Sequence, residues 1–117
     1  MEELVARIVA NVGIDASRAG QAVGTILGFL KAEGQADQIA TLFGALPGAD
    51  AAADAANYKP GFMGGVMGLG TQLMGMGMGM GEIGGVAKQT IQFAREKSGD
   101  GPIDAVIASI PGLSQFA

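Results

Sequence analysis

The chain has no cysteine, no histidine and no tryptophan, and each absence removes a class of function. Without cysteine there is no disulfide, no thiolate nucleophile and no thiolate metal site. Without histidine the commonest general base and the commonest metal ligand are both missing. Aromatic residues make up 5% and charged residues 15% of the 117 positions, so small aliphatic side chains and close backbone approach have to build the core. Seven Lys and Arg against eleven Asp and Glu give a net charge of −4, and the scattered cations form no basic patch of the kind that nucleic-acid binding needs. The opening MEELVARIVANVG is acidic before it is apolar, the reverse of a secretory signal, and no small-residue cleavage site follows. A cytoplasmic protein is therefore expected. No Pro/Ser-rich linker and no block of like charge divides the chain, and its length suits one domain over residues 1–117.

What the sequence has in abundance is glycine and methionine, concentrated in Phe62 to Gly85, FMGGVMGLGTQLMGMGMGMGEIGG. Six of the seven methionines lie there, and no charge falls between Lys59 and Glu82. More regular helical segments flank it. Leu4, Val5, Ile8, Val9 and Val12 recur at three- and four-residue spacing, which predicts a helix over 2–12 that ends at Gly13, with Ile14 folding back on the last turn. Asp15 is placed to cap a second helix over 16–33. One face of that helix carries Ala19, Ala22, Val23, Ile26, Phe29 and Leu30. Another carries Gly20, Gly24 and Gly28 at i+4, each costing about 1 kcal/mol relative to alanine. Three on one stripe fit a close approach by another helix. A third helix is expected over 35–46 with Ile39, Leu42, Phe43 and Leu46 inward, ending at Pro47-Gly48. Residues 49–57 read as a short helix or turn. Beyond the Gly/Met run, residues 82–98 and 103–110 read as helices, with Pro102 in the first turn of the latter.

Shifting the chain by 64 residues aligns its two halves without a gap. Gly13 falls on Gly77, Gly20 on Gly84, Phe29 on Phe93, Ile39 on Ile103 and Pro47-Gly48 on Pro111-Gly112. The matches sit at a helix stop, a terminator and core positions, which reads as duplication, with repeats over about 1–53 and 65–117. The Gly/Met run is then the counterpart of the first helix: a short helix over 64–76, a cap at Gly77, and Met78 folding back. An unbroken helix would carry eleven glycines between Gly61 and Gly85, at about 10 kcal/mol against alanine. The expected fold is thus all-α, about six helices, as a pseudo-duplicated pair of three-helix units with glycine-lined crossings.

Functional readings divide over the same run. Pro60 to Gly81 is long enough to cross a bilayer, but its glycines, Thr71 and Gln72 leave it weakly hydrophobic, and peripheral membrane contact fits it better than a span. Met74, Met76, Met78 and Met80 offer thioethers suited to Cu(I), though without the histidine or cysteine that usually accompanies them. An apolar ligand or lipid would find a pocket lined by Met63, Met67, Met74 and Met76. Flexible methionines at a surface also suit protein contact. The carboxylates Asp15, Glu33, Asp37, Glu82, Asp100 and Asp104 fall mainly at helix ends, where capping accounts for them. Catalysis and cofactors are not expected. The leading expectation is a non-enzymatic interaction protein that self-associates or binds a protein partner, with Gly20, Gly24, Gly28, Met63, Met67, Met74, Met76, Met78 and Met80 as contact candidates.

The stretch VGIDASRAGQAVGTILGFLKAEGQADQIATLFGALPGAD, followed by a Gly-rich apolar segment, MGEIGGVAKQTIQFAREKSG and a last short helix, resembles the small bacterial VcgC/VcgE-type proteins. The resemblance implies a helical half ending in a Leu-Pro-Gly turn followed by a second half of comparable helix order. It implies no activity and carries over no site residue. The alternation from Met74 to Gly81 departs from it, since larger aliphatics are expected there.

Overall fold

The computed structural model describes residues 1–59, 65–110 and 112–116. Among these residues there are seven α-helices, one 3-10 turn and no strand. The helices are α1 (Glu2–Val12), α2 (Ala16–Glu33), α3 (Ala36–Gly44), α4 (Ala49–Ala56), α5 (Gly65–Gly75), α6 (Met80–Ser98) and α7 (Asp100–Ser109), and the turn is Leu113–Phe116. The long helices α2 and α6 pack on each other through the middle of the molecule. α1 lies along α6, α5 lies along α2, and α3 and α7 pair at one end. One continuous cluster of buried side chains draws on all seven helices.

Local chemistry sets the boundaries. Gly13 ends α1 in the left-handed region at φ 87, where glycine has no Cβ penalty, and Gly77 does the same after α5 at φ 87. Ile14 and Met78, the residues that follow, both turn into the core. Asp15 Oδ1 accepts from the Arg18 amide at 2.8 Å and caps α2. α6 begins at Met80 rather than at Glu82, because the Gly79 amide donates to Glu82 Oε1 at 3.0 Å and fixes the first turn there. Gly79 has no side chain, so this is one half of a capping box. α3 stops at Gly44, short of the expected Leu46. The amides of Ala45 and Leu46 donate to the carbonyls of Leu42 and Phe43 at 3.1 and 3.0 Å, a tightened last turn that still buries Leu46.

The seventh helix is α4, expected as a short helix or turn. Its sequence ADAAADAA is mostly the best helix former, and Ala49 and Ala53, one turn apart, are both buried in the common core. Asn57 ends it at φ 52. α1 also differs from expectation. Leu4 and Ile8 are its buried residues, whereas Val5 is half-buried and Val9 is 37% exposed, so part of the apolar periodicity faces outward.

Charges fasten the outer helices, among them Lys31 of α2, 3.2 Å from Asp50 and 3.5 Å from Asp54 of α4. Arg7 donates from Nη1 and Nη2 to Glu96 Oε2 and Oε1 at 2.7 and 2.8 Å, and from Nη2 to Glu3 Oε2 at 2.8 Å. The same guanidinium stands 5.3 Å over the Phe93 ring and ties α1 to α6. Arg95 Nη1 bridges Asp100 and Asp104 at 3.1 and 2.9 Å and ties α6 to α7.

Candidate interaction surfaces

The glycine stripe of α2 is filled from within the chain. A Cβ on Gly24 would lie 2.5 Å from the Ala52 carbonyl oxygen and 2.8 Å from the Ala56 Cβ, both on α4. One on Gly28 would lie 2.7 Å from the Tyr58 Cβ, just beyond α4. The close approach that the stripe implies is therefore made by α4 and Tyr58, with the Tyr58 ring edge-on to Phe29 at 6.0 Å between centroids. Only Gly20 remains open, with no atom within 4 Å of its Cβ position, in a shallow depression with Ala16, Gln21, Ala52 and Ala56. As contact candidates for a second molecule, Gly24 and Gly28 are covered and Gly20 is not.

The methionines separate into different environments. Met67 and Met74 stand on the outer face of α5, 68% and 48% exposed, and Met80 at the start of α6 is 73% exposed. Met76 is half-buried against the core, and Met78 is buried in it. Met63 lies outside the described residues. The turn at Gly77 causes this division, since it sends the chain from the end of α5 into α6 and drives Met78 inward. The four thioethers considered for Cu(I), Met74, Met76, Met78 and Met80, thus include two exposed side chains, one half-buried and one in the core.

The apolar-ligand reading needs a corresponding correction. A cavity of about 30 Å³ does lie behind α5, but among the described residues no methionine lines it. Its α5 wall is Val66, Leu69, Gly70 and Leu73, on the side of the helix away from Met67. Leu69 and Leu73 are spaced i, i+4 among glycines, the signal in the sequence that the methionines overshadowed. A second surface that sequence reasoning missed is an open apolar groove along α1, lined by Met1, Val5, Ala6, Val9, Ala10 and Ala16.

The charged residues assemble no reactive cluster. Asp15, Glu82, Asp100 and Asp104 are engaged as a cap, half a capping box and two partners of Arg95. Asp37 and Glu33 sit in the first turn of α3 and the last turn of α2. Among the described residues no three acidic side chains converge as metal ligands. Lys97 lies 3.7 Å from Glu3 and 5.4 Å over Phe93. Within the described residues no helix is long and apolar enough to cross a membrane. The 11 residues of α5 span about 16 Å of the roughly 30 Å hydrocarbon core. No family model, no curated protein and no solved structure matches the chain.

Proposed function

We propose that this is a non-enzymatic helical interaction protein that self-associates through the methionine face of α5 and the start of α6. The observation that carries the reading is the exposure of Met67, Met74 and Met80 on a stretch without charge between Lys59 and Glu82. Three long apolar side chains in water support reading this stretch as a contact surface. Methionine adapts its rotamers to an apolar partner at low strain, which suits such a face. Of the glycine candidates only Gly20 contributes to this reading.

Duplication underlies the architecture in the same proposal. Adding 64 to α1, α2 and α3 gives 66–76, 80–97 and 100–108, against helices at 65–75, 80–98 and 100–109. Gly13 and Gly77 share φ 87, and Gly48 and Gly112 have φ 86 and 85. These agreements support a pair of three-helix units, and the similarity to the VcgC/VcgE-type proteins fits the same helix order.

The test is native mass spectrometry with light scattering on the full chain and on a Met67→Glu, Met74→Glu, Met80→Glu variant. A wild-type multimer that the triple variant reduces to monomers, with unchanged helicity, is the expected result. A monomeric wild type, or a multimer indifferent to the three substitutions, overturns the proposal.

A further inference from the structure

We infer that the cavity behind α5 is a binding site for the end of an unbranched apolar chain, admitted by outward displacement of α5. The site lies on the inner face of that helix, and because its outer face carries the proposed self-association surface, displacement of α5 is coupled to assembly.

The chemistry of the wall selects the ligand. Ile26 and Leu30 of α2, Leu42 of α3, Ile83 and Ile91 of α6 and Leu73 of α5 are among its sixteen lining residues. The one hydroxyl, on Thr90, donates to the Val86 carbonyl at 2.8 Å and is satisfied within its own helix. Among the described residues no charge and no free hydrogen-bonding side chain lines the space. A cavity of this kind excludes water and accepts apolar matter. A charged or polar headgroup finds no partner inside and stays in solvent, so the occupant is an alkyl or acyl chain entering tail first.

Size determines that a wall must move. The cavity measures about 30 Å³, several times smaller than the roughly 150 Å³ space that accepts benzene in an engineered apolar core. It therefore has to be enlarged for an occupant of several methylenes.

Among the helices that line the cavity α5 is the richest in glycine, with four in 11 residues. Gly68 and Gly70 are interior to its 11 residues, and a Cβ on either would meet no atom within 4 Å. Neither adopts positive φ. Packing and backbone geometry therefore do not require glycine at these two positions. Each disfavours the helix about fivefold relative to alanine. α1, of equal length, contains no glycine, and α2 and α6 run for 18 and 19 residues. The cavity also comes nearest the surface along α5, where Val66 and Gly70 line it and are half-buried.

The experiment uses the full chain with labelled isoleucine and methionine methyls, titrated with 1-decanol and followed by NMR. Saturable shifts are expected at Ile26, Ile83, Ile91 and Ile103, which line the cavity, and not at Ile8, Ile14 or Ile110, which do not. Ala87→Leu, which fills the space from α6, should abolish the response. Gly70→Ala should raise amide protection in α5 about fivefold and slow decanol entry by a similar factor. Shifts spread evenly over all isoleucines, or confined to the Met67 and Met74 methyls, overturn the assignment. So do α5 amides as well protected as those of α2, a result that does not depend on Ala87→Leu folding.

Discussion

Gly20 and Gly24 lie one turn apart on α2, and the same substitution at the two should move stability in opposite directions. Glycine to alanine inside a helix gains about 1 kcal/mol from the backbone entropy that glycine loses on folding. At Gly20 nothing lies within 4 Å of the new Cβ, so Gly20→Ala should keep that gain in full. At Gly24 the Cβ arrives 2.5 Å from the Ala52 carbonyl oxygen and 2.8 Å from the Ala56 Cβ. Ordinary carbon–oxygen contact is about 3.3–3.6 Å, so α4 has to retreat by roughly 1 Å. The obstacle is backbone, which cannot rotate aside as a side-chain end would. Overpacking of this kind costs roughly 1–3 kcal/mol, which leaves Gly24→Ala less stable than wild type by up to about 2 kcal/mol. The two variants should differ by about 1–3 kcal/mol, and each kcal/mol shifts the melting temperature by roughly 3–5 °C in a domain of this size. Urea and thermal unfolding followed by circular dichroism, at concentrations where the assembly state is matched, measure the difference. Equal stabilisation in both variants would refute the packing of α4 on Gly24, and with it the account of the stripe. Gly24→Leu extends the series: it should unseat α4 or unfold the chain, and unchanged stability with unchanged mass would be just as damaging.

Tyr58 carries a buried hydroxyl with no partner among the described residues, and burial, with Glu33 secondarily, pushes its pKa up. Tyr58→Phe should therefore leave stability unchanged or raise it by about 1 kcal/mol, whereas a clear loss in denaturant unfolding would mean that the hydroxyl does make a hydrogen bond. The Arg7 guanidinium, through its hydrogen bonds, holds the Glu96 carboxyl below its usual range. A carboxylate with a lowered folded-state pKa stabilises above its unfolded value of about 4.3, and that contribution disappears as pH falls through the folded-state value. Glu96→Gln should accordingly flatten the acid limb of stability against pH, and an unchanged limb would remove Glu96 from the account. Under mild peroxide at a dilution where the chain is monomeric, mass-spectrometric mapping should find Met67, Met74 and Met80 oxidised well before Met78, since sulfoxide formation follows exposure. Equal rates at Met78 would contradict its burial.

The punctuation of the fold was legible because each signal is local. A glycine at a helix end, an aspartate before α2 and the costs of a long glycine-rich helix depend only on neighbouring residues. Those signals located α1, α2 and the break at Gly77 in agreement with the structure. The orientation of the methionines was not legible. Alternation with glycine imposes no helical or strand period, so whether Met76 or Met78 enters the core depends on the path of the turn. The cavity was hidden for a related reason, since its lining comes from five separate helices and the 3-10 turn.

The glycine stripe shows how a local pattern can record a distant partner without identifying it. Gly24 and Gly28 announced a close neighbour, and the neighbour proved to be α4, whose alanines carry little surface pattern of their own. Under the proposed offset of 64 these glycines correspond to Lys88 and Gln92, both exposed on α6. In the second half a short 3-10 turn, Leu113–Phe116, follows Gly112, where the first half has α4 after Gly48. It leaves Lys88 and Gln92 in solvent. The face beneath α4 carries glycine, while the matching uncovered face carries long polar side chains. At Gly24 and Gly28 and their proposed counterparts residue size thus follows whether α4 lies on top, whereas Gly20 and Gly84, both glycine and both open, stand outside that contrast.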